Sequence, residues 1–306
     1  MSQAKVRALR SVEVACTDLD AMAHFFTEAW SLMPAGEDKG VRLFRGSGTF
    51  HHILGLRQGP GTALVRVTFD AADRATVDAL HKQLVAHGIR TIETPAPLRQ
   101  PHGDYGFGFQ DPEGRNMAVV CGVEDHAAPA AHPDRPTKIS HINLNNGNPD
   151  ATFAALRDGL GFRLADQTRK MRFLSCNSDH HSVVLGFEGG TTLNHIAFEM
   201  PDLEAVMRGA GRMRDHGRGI EWGPGRHGPG NNVFCYFLGP EQLPIEYTSE
   251  MQQIDDSYRP RPVEEWKWPP GRLDHWGITA KPSEPMERAG QNYRFTTGGW
   301  KLDQWR

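Results

Sequence analysis

The chain has 306 residues, 38% of them hydrophobic, and a formal net charge of −3. Its length accommodates two ordinary domains, each with its own core, and its near-balanced charge leaves no footprint for nucleic acid or an anionic membrane. No apolar run approaches the roughly 20 residues that span a bilayer, the opening MSQAKVRALR lacks a signal-peptide core, and Cys16, Cys121, Cys176 and Cys235 form no CxxC pair, so a cytoplasmic protein in a thiol-reducing compartment is expected.

In chain order, the pattern is a repeat. The first half opens with a short apolar strand, Val12-Glu13-Val14-Ala15. Asp18-Leu19-Asp20 supplies a cap before the helical run AMAHFFTEAW, which Ser31-Leu32 closes. Strands follow, ending in Leu64 to Asp70; residues 70–88 then read as a second helix stopped by glycine. Late strands between Gly106 and Val120 turn at Asp111-Pro112-Glu113-Gly114. The Ala- and Pro-rich stretch EDHAAPAAHPDRP reads as a linker.

The second half repeats that order. Ile139 to Leu144 is its first strand, and Asn148-Pro149-Asp150 caps the helix ATFAALRDGL, closed at Gly161-Phe162. A middle strand runs from Leu193 to Glu199, a glycine-stopped helix covers 201–217, and late strands between Phe234 and Tyr247 turn at Gly239-Pro240-Glu241. The register between halves is 130 at the first strand (Ser11 to His141), 129 at the middle one (Arg66 to His195) and 128 at the last (Ala118 to Glu246). So small a drift is what minor loop changes in a duplication produce.

With fifteen histidines in the chain, a single one carries little weight; position in the repeat is what selects among them. His141, His195 and Glu246 occupy equivalent inward strand positions of the second copy, where the first copy has Ser11, Arg66 and Ala118. Arg and Ala cannot ligate a metal, so the first copy reads as a scaffold. Two imidazoles and one carboxylate form the facial triad of non-haem Fe(II) oxygenases, which leaves open positions for substrate and dioxygen. The bland alternative is an ordinary strand histidine beside a surface acid.

These residues, together with Gly223 to Asn232, Phe234-Cys235-Tyr236-Phe237 and Ile245-Glu246-Tyr247, resemble the type I extradiol ring-cleavage dioxygenases of the vicinal oxygen chelate superfamily. The resemblance covers roughly residues 5–260. Its signature is a histidine on a Gly/Pro turn, His227, then a tyrosine nine residues on, Tyr236, then a glutamate ten further, Glu246. It implies an α+β fold of two glyoxalase/extradiol-dioxygenase-type domains, each built of paired βαβββ modules forming a partly open mixed sheet around the site. The expected limits are 1–124 for an N-terminal domain without metal ligands, 125–136 for the linker, 137–252 for the catalytic domain and 253–306 for a tail.

The resemblance also implies roles. His141, His195 and Glu246 hold Fe(II), with Mn(II) the alternative. His181, on the strand before that of His195, faces the dioxygen side and handles a proton, while its neighbour His180 is structural. His227 reaches the substrate from its loop, and Tyr236 aims its phenol at the ionising hydroxyl. The partners are a substituted catechol and O2, the product a muconic semialdehyde-type compound, and the assembly a homo-oligomer. The pair His51-His52 lies 129 residues before His180-His181, so a structural relic is the competing account of His181. Two other functions compete: a non-oxidative metalloenzyme of this fold, glyoxalase- or epimerase-like, and a non-catalytic binder of aromatic compounds. The Trp-rich tail is expected to close part of the pocket.

Overall fold

The computed structural model describes residues 3–187 and 190–306. Four βαβββ modules follow one another. The first runs β1 (Ala8–Cys16), α1 (Leu19–His24), β2 (Met33–Asp38), β3 (Val41–Arg45) and β4 (Leu54–Gln58). The second runs β5 (Ala63–Asp70), α2 (Arg74–Ala86), β6 (Ala96–Pro97), β7 (Tyr105–Gln110) and β8 (Asn116–Cys121). The third has β9 (Lys138–Asn145), α3 (Pro149–Ala154), β10 (Arg163–Gln167), β11 (Met171–Ser175) and β12 (Val183–Gly186). The fourth has β13 (Thr192–Glu199), α4 (Leu203–Asp215), β14 (Trp222–Arg226), β15 (Val233–Leu238) and β16 (Pro244–Ser249). Each pair of modules closes into one mixed eight-stranded sheet, in the orders β2-β3-β4-β1-β5-β8-β7-β6 and β10-β11-β12-β9-β13-β16-β15-β14. The α+β architecture is the expected one.

The helix starts show why the two halves fold alike. Asp18, Asp73, Asn148 and Asp202 each accept a hydrogen bond from the backbone N–H three residues on, at 2.7–3.1 Å. Such a side-chain cap stabilises a helix start by about 1 kcal/mol. Asp73 and Asp202 place the second helices at Arg74 and Leu203, inside the wider 70–88 and 201–217 spans. Gly88 and Gly217 follow those helices with φ of +79° and +72°, backbone that glycine adopts without strain. Both α1 and α3 continue into one π-helical turn, Phe25–Ala29 and Ala155–Gly159.

Strand pairing repeats as well. Glu13 faces Arg66 as Asn143 faces His195, and Thr68 faces Ala118 as Ala197 faces Glu246. A single apolar cluster runs through both halves, from Val14 and Leu54 to Phe198 and Ile245. Trp30 bridges them: its ring stacks on Tyr247 with centroids 3.7 Å apart, and its carbonyl accepts the Tyr247 hydroxyl at 3.1 Å.

The chain beyond β16 is built into this body. The helix α5 (Glu284–Asn292) packs on β13, and the last residues reach the first sheet. There Trp305 stacks on His102 at 4.3 Å between centroids, and His102 Nε2 lies 3.1 Å from Asp38 Oδ2. Burial pushes the His102 imidazole down to about 4 despite Asp38. A histidine whose pKa is lower folded than unfolded leaves the unfolded chain binding more protons, so stability falls with pH between about 6.5 and 4. The wild type should therefore exceed His102→Gln in melting temperature most at pH 7, with the gap shrinking toward pH 4.5, as calorimetry at both pH values will show.

Candidate metal centre

Three adjacent strands bring the candidate ligands together. His141 on β9 pairs with Ala197 on β13, and Ala197 pairs with Glu246 on β16, so the three side chains share one sheet face. His195, two residues before Ala197, shares that face as well. Ala197 projects only a methyl group between them, which keeps the space among the three ligands open. His141 Nε2 and His195 Nε2 are 3.2 Å apart, and Glu246 Oε2 lies 3.3 and 3.1 Å from them. Among the described residues this is the one group of three or more His, Cys, Asp or Glu side chains whose ligand atoms lie within 4.8 Å of one another.

The protonation of this cluster is what points to a cation. Asn194 Oδ1 lies 2.8 Å from His195 Nδ1 and accepts its proton, so His195 Nε2 carries a lone pair. Both Glu246 oxygens are buried and accept no hydrogen bond. Burial alone would raise the Glu246 carboxyl, but the adjoining His141 and His195 imidazoles hold it well below the usual carboxylate range. Burial also lowers His195, which favours its neutral, ligating form. In that neutral form the imidazole no longer offsets the Glu246 anion, which is then costly to bury without a positive charge beside it. Donors in cis positions of an octahedron with bonds of ~2.1 Å lie ~3.0 Å apart, against ~3.4 Å in a tetrahedron. The observed spacings of 3.1–3.3 Å fall between the two values, and it is the donor set that suits Fe(II) or Mn(II).

The open side of the triad faces a cavity of about 730 Å³. Tyr236, opposite Glu246 in the β15–β16 pairing, stands edge-on to His195 with centroids 4.9 Å apart. Its hydroxyl lies 3.1 Å from His227 Nε2. Burial first, then the Glu246 charge, raises the Tyr236 phenol well above its ordinary value, so it stays protonated. His227 follows β14 directly and stacks on Phe234 at 4.1 Å; burial pushes it down to about 4, so it is neutral near pH 7. His181 lies two residues before β12 rather than on a strand, with its ring 4.5 Å from that of His141. Burial lowers it strongly as well. Five of the six residues singled out from the sequence thus line this cavity, and the sixth, Glu246, lies behind it against His141 and His195.

One further residue at the site, Asn194, had no signal in the sequence. Asn194 sits in a β-bulge between the Leu193–Leu144 and His195–Asn143 pairs, which turns its amide toward the His195 ring. The first copy has the matching irregularity between the Val14–Leu64 and Glu13–Arg66 pairs. Strand alternation would have placed Asn194 on the opposite face. Trp266 and Trp268 of the tail wall the cavity, as do Met286 and Gln291 of α5. A Cβ on Gly228 would lie 2.2 Å from the Trp268 ring, so the tail rests directly on the His227 loop.

The glyoxalase/bleomycin resistance protein/dioxygenase superfamily model matches residues 138–247, the span that carries every ligand. A Mn(II)-bound glyoxalase from Novosphingobium aromaticivorans superposes with a TM-score of 0.84 at 35% identity, over 92% of this chain and 94% of that one. The chain belongs to this superfamily. Within it, metapyrocatechase 2 of Cupriavidus necator is 28% identical over 199 residues, 57% of this chain and 61% of that protein. An iron-dependent extradiol dioxygenase of Rhodococcus jostii (strain RHA1) is 22% identical over 82% of this chain and 91% of its own length. The first sheet, outside the matched span, places Ser11, Arg66 and Ala118 on the strands equivalent to those of the triad.

Replacing Asn194 by Ala removes the acceptor that fixes the ligating tautomer of His195. Loss of such a partner weakens metal binding by about 10–100-fold. Chelator competition should show that loss in Asn194→Ala, with much of the affinity kept in Asn194→Asp, which retains an acceptor oxygen.

Proposed function

We propose that the chain is a non-haem, metal-dependent extradiol dioxygenase that opens the ring of a substituted catechol beside its vicinal hydroxyls, with both atoms of O2 entering a muconic semialdehyde-type product. The observation that carries this reading is the placement of His181, His227 and Tyr236 around the open side of a facial His141-His195-Glu246 triad, inside an aromatic-walled cavity. Fe(II) is the proposed metal, with Mn(II) the alternative the same ligands accept. When bound, that ion supplies Lewis acidity at the two catechol oxygens and exchangeable positions beside them.

The side chains divide the remaining work. Neutral His227 is a ready acceptor for a catechol proton, and the Tyr236 phenol, kept protonated by its surroundings, donates to the oxygen that has lost one. Their 3.1 Å contact lets the two groups share that proton. His181 lies against the other side of the triad, near His141, and takes and returns a proton during oxygen cleavage. Phe173 and Trp222 bound the cavity around the ring of the substrate, and its 730 Å³ exceeds what an unsubstituted catechol fills. No helix among the described residues is long and apolar enough to cross a membrane. The four cysteines are buried and unpaired, which supports a cytoplasmic location.

The 35% identical glyoxalase favours a second reading, a metal-dependent isomerase that consumes no oxygen. An oxygen electrode separates the two. Metal-depleted protein reloaded anaerobically with Fe(II) or with Mn(II), given an alkyl- or aryl-substituted catechol and then air, should take up one O2 per yellow product formed. No uptake with any catechol and either metal would overturn the dioxygenase reading. His181→Gln should retain metal and catechol binding while kcat falls by about 10²-fold or more, the range of a lost acid–base group.

A further inference from the structure

Behind His181 lies a chain of buried polar groups that the proposed chemistry has not used. His180 Nδ1 is 3.0 Å from His181 Nδ1, and His180 Nε2 is 2.9 Å from Asp166 Oδ2 on β10. Asp166 and His180 have no exposed surface, and His181 is 2% exposed. The same Asp166 Oδ2 accepts the Tyr258 hydroxyl at 2.8 Å, and Asp166 Oδ1 accepts the Arg261 backbone N–H at 2.8 Å. Tyr258 and Arg261 belong to the segment after β16, so three parts of the chain meet on one carboxylate.

With a single hydrogen on each imidazole, proton accounting along this chain has one outcome. A carboxylate only accepts, so His180 Nε2 carries the hydrogen. His180 Nδ1 is then an acceptor, and the hydrogen between the two imidazoles must sit on His181 Nδ1. His181 Nε2 is left with a lone pair toward the cavity that this residue lines. We propose that Asp166 and His180 are positioning residues that lock His181 in the Nδ1–H tautomer, so that Nε2 meets the bound reactants as a proton acceptor. The inference rests on the assignment of His181 as the acid–base group and specifies how that group is prepared. The reading of His180 as merely structural is thereby replaced by a role in setting its neighbour.

The Arg261 contact makes the idea testable by a change of one atom. In Asp166→Asn, the backbone N–H of Arg261 is an obligatory donor and still requires an oxygen opposite it. The new amide nitrogen must then face His180 and Tyr258. An N–H donated to His180 Nε2 moves the His180 hydrogen to Nδ1, and His181 answers by carrying its own on Nε2. Shape is preserved while the tautomer reverses, the logic by which an Asp-to-Asn change disables a Ser-His-Asp triad.

Two measurements decide the matter. Full-length protein labelled with 15N-histidine and loaded with diamagnetic Zn(II) should show His181 protonated at Nδ1, its signals assigned by their loss in His181→Gln. Protonation at Nε2, or a doubly protonated His180, overturns the proposal independently of any change in activity. The holoenzyme of Asp166→Asn should keep its metal content and catechol KM while kcat falls at least about tenfold, part of the 10²–10⁴ typical of an acid–base group. A wild-type kcat in Asp166→Asn alongside a crippled His181→Gln overturns the positioning role alone. A wild-type kcat in His181→Gln would instead remove the acid–base assignment beneath it, leaving the tautomer to the spectrum.

Discussion

Two imidazole nitrogens and a carboxylate oxygen, buried and 3.1–3.3 Å apart, repel one another when their lone pairs converge without a cation between them. Much of the second half is arranged around that repulsion. The Asn194 bulge commits the His195 proton to the far side of its ring, Ala197 keeps side-chain bulk out of the space between the ligands, and Glu246 is left without a hydrogen bond of its own. The buried carboxylate without a hydrogen bond weakens the metal-free fold and becomes favourable once an ion binds, which couples metal affinity to folding.

The same constraint explains why a copy without ligands persists. Glu246 is held at its place partly by its neighbour Tyr247, whose ring stacks on Trp30 of the first half and whose hydroxyl bonds both to the Trp30 carbonyl and to Arg212. Aromatic pairs of this kind contribute about 0.5–1.5 kcal/mol beyond their burial. The end of the first helical segment, which carries Trp30, therefore acts as a back-plate for β16, and a softer partner there would let the carboxylate move.

Sequence reasoning reached the triad because duplication supplied its own control: Ser11, Arg66 and Ala118 show the same strand positions without ligating groups. It reached the first-turn caps Asp18 and Asn148 because N-capping is local chemistry, settled within four residues. It did not reach Asn194, since alternation assigns that residue to the wrong face and a bulge is a two-strand property. Nor did it reach the Asp166–His180 pair. His180 sits beside a residue already singled out, but its partner is fourteen positions away on β10, and nothing in the pattern of β10 marks Asp166 as buried. The placement of His181 on a strand failed for a related reason. Its backbone lies just outside the ladder, in a bend whose position depends on pairing with β9. Such features arise from tertiary contacts that no window of sequence contains.

The C-terminal segment joins these threads. It leaves β16, gives Tyr258 and Arg261 to Asp166, lays Trp268 on Gly228 over the His227 loop, and brings Gly290 to accept from Asn145 and Thr192 behind the ligands. It then crosses to the first sheet, where Arg66 donates to the carbonyls of Gly299 and Trp300 and its guanidinium lies 4.9 Å from the Trp305 ring centre. Arg66 stands where the second copy has His195. A position that holds a candidate ligand in one half thus anchors in the other, and what it anchors is the strap that walls the cavity and contacts Asp166. The degenerate copy acts on the site through this strap as well as through Trp30, because a tail fixed at its far end by a buried guanidinium holds its aromatic residues against the pocket more firmly than a free one would.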